Sequence, residues 1–437
     1  MVRIGPMASL FAMLDRRTLL AALGAIALEA GLPAAALAQG RRSLAISAKA
    51  DGLVLRPGGA GTPVWSLVGD DIRANRGETL ELTLGNDLPG PLALYCRGID
   101  GAPTAEPLLA RGLLAAGAKE SFQLPLRHAG TFLCDPGLLN DGQPRPLRAK
   151  PLIVLESEPL SVDRDEVLLI EEWRLRPDGT AAAPGTDAKD ATPVYTLNGR
   201  TSFELSARAN ERLRLRFINA SQRTVLAAKL EGHDIRVMAI DGEPAEPFPA
   251  RNGALVLAPG GRADTVVDAA ATASILLHDG KEARPVGRLV LSGEAPLRPA
   301  PLPSAPPLPS NGLPAQLDLK SAQRFELALG VPADWTRPAS FTPSAPPAFR
   351  ARAGRALVLA LTNRAPIAIV FHLHGHHFRL LDRLDDGWKP FWLDTLAIEP
   401  GQTQRIAFLA EHAGRFLVEQ VATDWAAPRL VRWYSVE

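Results

Sequence analysis

From Leu44 onward the chain is written in short alternations of apolar and polar residues. Thr79-Leu-Glu-Leu-Thr-Leu84 places every second side chain on an apolar face, the period of a strand with one side on a core and the other toward water. Leu213-Arg-Leu-Arg-Phe-Ile218 and Ala356-Leu-Val-Leu-Ala-Leu361 have the same texture, and each run closes on an asparagine: Asn86, Asn219 and Asn363. A turn-prone pair precedes each run, Arg76-Gly77, Asn210-Glu211 and Ala353-Gly354. Three copies of one strand-to-asparagine pattern, each more than about a hundred residues from the next, predict three related β-sandwich modules. No segment has the long 3.6-residue period of an amphipathic helix.

Two stretches break the texture. Residues 296–314 are dominated by proline, which supplies no ladder donor and favours an extended polyproline conformation. This tract is expected to link the second module to the third, with a partner-binding PxxP role as the alternative. At the N-terminus, Arg16-Arg17 precedes the apolar run Leu19–Leu28, and a small-residue stretch ends in Ala36-Leu37-Ala38. Such an order marks residues 1–38 as a signal peptide. The apolar run is too short to span a bilayer stably. Paired arginines before an alanine-rich run suggest the twin-arginine route, the alternative being an ordinary secretory signal. The mature chain is then expected to begin near Gln39, with no transmembrane segment, and to work in the periplasm. The modules are assigned to 42–157, 158–295 and 315–437.

Composition narrows the function classes. With 437 residues and a formal net charge of +1, the chain has no footprint for nucleic acid or an anionic membrane surface. Its 39 prolines and 37 glycines suit many short strands joined by turns. No Gly-x-Ser-x-Gly elbow, P-loop, dinucleotide glycine pattern or Cys-x-x-Cys occurs.

The chemistry that remains is histidine. Phe371-His-Leu-His-Gly-His-His-Phe378 holds four of the chain's eight histidines. In a strand His372, His374 and His376 share one face, an arrangement suited to copper or zinc.

This segment resembles the third-domain histidine motif of the multicopper oxidase family. Further matches are Trp392-Leu-Asp-Thr395, Glu399-Pro-Gly-Gln-Thr403, Ala413-Gly-Arg-Phe416, Leu197-Asn-Gly-Arg200, Arg214 to Ser221, Leu257-Ala-Pro-Gly260, Leu84-Gly-Asn-Asp-Leu-Pro89 and Arg127-His-Ala-Gly-Thr-Phe132. The resemblance covers nearly the whole mature chain and implies an all-β protein of three cupredoxin-like Greek-key sandwiches. Family members oxidise substrate at a type 1 copper held by cysteine and two histidines. Electrons then pass to a three-copper cluster held by four His-x-His pairs.

Carried onto this chain, the cluster positions fall on Tyr95 and Arg97, Asp135 and Gly137, His372 and His374, and Glu419 and Val421; only the third pair keeps histidine. The type 1 positions fall on Ile369, Gln420, Trp425 and Leu430. No thiolate or imidazole is among them, so the resemblance implies loss of type 1 copper and argues against oxidase activity. The remaining cluster residues are expected to form a paired hydrogen-bonded plug. The alternative is one copper or other divalent ion on His372 and His374 with Asp135 or Glu419. Cys96 and Cys134 each lie one position from a cluster position and face away from it. Because the family brings their strands together, a disulfide is expected, with two buried thiols as the alternative. His376 and His377 are expected to be structural, and His128, His233, His278 and His412 to be ordinary isolated residues.

Copper-free relatives of this kind occur among twin-arginine substrates, one of them associated with cell division under stress. The resemblance therefore implies an exported binding or scaffold protein for envelope partners, with no cofactor. A single-metal oxidoreductase is the alternative. Periplasmic copper handling is a third reading, but Met238 is the one methionine of the expected mature chain.

Overall fold

The computed structural model describes residues 40–382 and 387–437; the signal-peptide assignment to 1–38 lies outside them. Among the described residues there are strands and five short 3-10 turns but no α-helix, and none long and apolar enough to cross a membrane. Six sheets pair face to face into three sandwiches. The first encloses Leu80, Leu82, Leu84, Phe122, Phe132 and Val154; the second Leu213, Leu215, Phe217 and Leu226; the third Leu357, Leu359, Leu361, Phe371 and Phe408. These are the apolar positions of the three alternating runs, which form the strands Thr79–Asn86, Arg212–Asn219 and Ala356–Asn363.

The three closing asparagines do one job. Each is fully buried and donates both amide hydrogens to carbonyls of two different segments: Asn86 to Gly90 and Leu114, Asn219 to Thr224 and Leu257, Asn363 to Ile367 and Ile398, all at 2.8–3.0 Å. Each Oδ1 accepts the backbone N–H two residues on. An amide carries two donors and an acceptor in a short side chain, so asparagine satisfies three backbone groups where the ladder stops. Aspartate, with no donor, would not.

The polar face of one run does not meet water. Arg214 and Arg216, read as the solvent side of a half-buried strand, are 2% and 0% exposed. Both pair with Asp264; Arg214 also reaches Glu156, and Arg216 reaches Asp165 and donates to Thr131 Oγ1 of the first sandwich. The alternation was a sandwich-to-sandwich interface. Gly130, at φ 152°, shows how close these sandwiches come: a Cβ there would stand 2.2 Å from the Gly242 carbonyl oxygen.

The proline-rich tract is strapped down. Residues 292–322 hold no strand, so their carbonyls need other donors. Arg212 donates to the Leu302 and Pro303 carbonyls, and Asn210 to that of Arg298. Ala305 and Leu308 pack on Met238 and Val266. Asn311 bridges Ala129 of the first sandwich and Glu243 of the second.

Candidate functional site

The histidine strand Ile369–Leu373 runs beside Gly414–Ala422 in the third sandwich. The strands Tyr95–Arg97 and Gly130–Asp135 pair in the first. The side chains facing the junction of the two sandwiches are those named from sequence, and most are fully buried: Arg97 is 3% exposed, Asp135 4%, His372 3%, His374 0% and Glu419 0%.

Arg97 organises them. Its Nε donates to Asp135 Oδ2 at 2.8 Å, and Nη2 reaches both Asp135, at 2.7 Å, and Glu419, at 3.3 Å. Asp135 Oδ1 accepts the Gly137 N–H at 2.8 Å. His374 lies between two carboxylates, Nδ1 facing Glu106 Oε1 and Nε2 facing Glu419 Oε1, each at 2.6 Å. Only an imidazolium donates from both nitrogens. Burial opposes that charge, but Glu106 and Glu419 prevail and raise the His374 pKa. The Tyr95 ring stacks on it at 3.5 Å between centroids and 10° between planes. Arg429 pairs with the other side of Glu419 and donates to Gln222 Oε1 at 2.9 Å. Although burial opposes it, the two arginines hold Glu419 well below the usual carboxylate range. The cluster thus closes with three cations (Arg97, Arg429, His374) against three carboxylates (Asp135, Glu419, Glu106). Glu106, Arg429 and Gln222 were not visible in the sequence, because none occupies a ligand position of the family's motifs.

His372 stands slightly apart. Its Nδ1 donates to Thr395 Oγ1 at 2.9 Å, because that hydroxyl spends its own hydrogen on Asp394 Oδ1. Burial and the nearby Arg97 charge push its pKa down. Tyr434 donates its hydroxyl hydrogen to the His374 carbonyl and accepts from His376 Nδ1. Burial drives His376 down to about 3, a neutral structural ring.

The type 1 positions do not provide a copper donor set. Ile369 and Leu430 pack into the third core. Gln420 Oε1 is taken by the Gly330 N–H at 2.8 Å, while its Nε2, a donor only, has no partner. Trp425 turns to the second sandwich, donates to the Ala183 carbonyl and lies under Arg174. Cupric ion needs thiolate or imidazole here, and the residues present do not fit it. Nor do the cluster positions fit three copper ions, since two guanidiniums sit on the shared carboxylate.

Cys96 and Cys134 are direct cross-strand partners, both buried in the first core as free thiols, with Sγ atoms 3.1 Å apart rather than bonded. Protein prepared under oxidising conditions should close the bond and show no free thiols on unfolding without reductant. The bond would close a loop between residues 38 apart, contributing about 4 kcal/mol in the chain-entropy account. Two titratable thiols would refute this.

The remaining histidines divide. His233 is structural, donating to the Glu231 carbonyl and accepting from the Ala270 N–H; His278 is exposed. His128 and His377, expected to be isolated and structural, instead meet. His128, His377 and Asp100 are buried, with one donor atom each within 4.8 Å of the others, the one such group among the described residues. Proximity in the fold had no counterpart in sequence, where these residues are far apart.

Three cupredoxin-like sandwiches with a histidine strand where the first meets the third define the architecture of the blue-copper oxidases. The chain belongs to the multicopper oxidase family: two family models, both described as Multicopper oxidase, match residues 165–275 and 316–433. It is 24% identical over 414 residues to multicopper oxidase MmcO of Mycobacterium tuberculosis, covering 80% of this chain and 77% of that one. A multi-copper oxidase from Pseudomonas thermotolerans superposes with a TM-score of 0.75 at 23% identity, over 91% of this chain and 99% of that one. Lac15 from a marine microbial metagenome gives 0.74 at 24%, over 90% and 100%.

Proposed function

We propose that this protein is an exported, periplasmic member of the family that has lost type 1 copper and most of the trinuclear cluster, and that it acts by binding envelope proteins rather than by oxidation. One observation carries the reading: Arg97, at a position the family gives to a copper-binding histidine, pairs with both Asp135 and Glu419. A guanidinium there repels any cation that Glu419 or His374 could hold, and the balanced network removes the reason for one. The donor chemistry at Ile369, Gln420 and Leu430 supports the same conclusion, since no residue there can pass an electron inward. A cleft of about 470 Å³ opens between the first and second sandwiches beside Arg73, Arg148 and Lys150, and no cluster residue lines it. Twin-arginine export of a folded protein, and a partner in the division or stress machinery, are part of the proposal. Oxygen uptake tests it: copper-loaded protein should consume no oxygen with phenolic substrates, and copper-dependent uptake would refute it. A single catalytic metal at His372 and His374 is the weaker reading, because Arg97 already occupies both carboxylates, Asp135 and Glu419, that would complete the site.

A further inference from the structure

The buried group at His128 and His377 lies outside the family's copper positions and draws one residue or more from every sandwich. Asp100 and His128 follow strands of the first, Glu243 begins a strand of the second, and His377 follows the histidine strand of the third. His377 Nδ1 is 2.8 Å from Asp100 Oδ2, His128 Nδ1 is 3.7 Å from the same oxygen, and His128 Nδ1 is 2.6 Å from Glu243 Oε1. That last pair is close but misaligned: His128 Nδ1 and Glu243 Oε1 are both buried atoms without a hydrogen-bond partner. A misaligned contact between two buried polar groups is a weak one, and His128 Nδ1 also lies 3.7 Å from Asp100 Oδ2.

We propose that these four side chains bind a single divalent transition-metal ion, zinc by donor chemistry, which clips the three sandwiches together. Two imidazoles and two carboxylates form an N₂O₂ set suited to zinc. Donors on a tetrahedral zinc stand about 3.3–3.6 Å apart, given bond lengths of about 2.0–2.2 Å. The observed separations of 2.6, 2.8 and 3.7 Å straddle that figure; the donors of Asp100, His128 and His377 all lie within 4.8 Å of one another, and Glu243 joins them through His128.

The outer supports of a metal site are also present. His377 Nε2 donates to the Asp241 carbonyl at 2.9 Å, and its Nδ1, which pairs with Asp100 Oδ2 at 2.8 Å, would face the ion once its hydrogen is displaced. Glu243 Oε2 accepts from Asn311 Nδ2 at 3.2 Å, which leaves Oε1. Ligating histidines and carboxylates are oriented in this way. Charge agrees as well: two carboxylates match a divalent cation, and no arginine pairs with either of them, unlike Glu419 in the neighbouring cluster. With four protein donors the coordination shell is closed, which is the mark of a structural ion rather than a catalytic one.

The test uses the intact chain, stripped with chelator and titrated with Co²⁺ and then Zn²⁺. Saturable binding of one Co²⁺ with the visible bands of tetrahedral nitrogen–oxygen coordination, displaced by Zn²⁺, is expected. The thermal midpoint should rise with Zn²⁺, because an ion that binds only the folded state stabilises it. His128→Gln and Glu243→Gln, measured separately, should each weaken binding at least about tenfold, while His372→Gln should leave it unchanged. Absence of saturable binding, binding indifferent to both His128→Gln and Glu243→Gln, or binding lost on His372→Gln would overturn the proposal.

Discussion

Arg97→Ala should cost about 3–5 kcal/mol of folding stability, the range for removing one partner of a buried ion pair. The carboxylates it leaves behind are not equally stranded. Glu419 keeps Arg429 and His374, whereas Asp135 keeps only the Gly137 N–H. Most of the loss should therefore come from Asp135, and adding Asp135→Asn to Arg97→Ala should recover part of it. Arg97→Lys should fall between, because an ammonium keeps the charge but lacks the fork that reaches both carboxylates. Urea unfolding of the three variants beside the native chain measures these differences. A loss below about 1 kcal/mol for Arg97→Ala would mean that the pairs are not desolvated as described.

The second large effect lies at Arg262, the residue that joins all three sandwiches. It is 0% exposed. Its five N–H groups find five acceptors: the carbonyls of Thr131, Gly260 and Asp241, and both oxygens of Asp394. Arg262→Ala leaves Asp394 and Asp241 as neighbouring buried carboxylates without their cation, and the expected loss is again about 3–5 kcal/mol. The sign with pH follows from Asp241. Burial and the charge of Asp394 already raise its pKa to about 6, above the ordinary carboxylate value of about 3.9. A raised pKa contributes stability that is present below the unfolded value and lost as pH rises through the folded one. Without Arg262 both carboxylates move up, so the loss window widens toward alkali. The deficit of Arg262→Ala should be larger at pH 8 than at pH 5. Equal deficits at the two values would contradict this account of the pair.

How far the sequence reaches is best seen residue by residue. The alternating runs and their closing asparagines were legible because a two-residue period and a backbone-capping amide are local properties. Arg214 and Arg216 show the limit: alternation separates two faces but does not say whether the second face meets water or another sandwich. At the junction, Arg97, Asp135, His374 and Glu419 could be named because the family's motifs mark their positions. Glu106 and Arg429 could not, since their roles come from reaching into the cluster from segments without motif. The Asp100, His128, Glu243 and His377 group was hidden more deeply. Asp100 and His377 are 277 residues apart, and only the packing of three sandwiches makes them neighbours.

The central claim is that this fold keeps the frame of a copper oxidase without its electron-entry site. The optical and paramagnetic resonance spectrum of the copper-loaded, intact chain tests it most directly. An ion held at His128 and His377 would give at most a pale, nitrogen–oxygen-ligated copper signal, because no thiolate is near it. With Gln420 where the family has its cysteine, the account predicts neither the intense blue thiolate-to-copper band nor the narrow hyperfine splitting that accompanies it. A blue band that persists when both Cys96 and Cys134 are replaced by serine is excluded by chemistry. A blue band in the native chain, formed in proportion to added copper, would contradict the account.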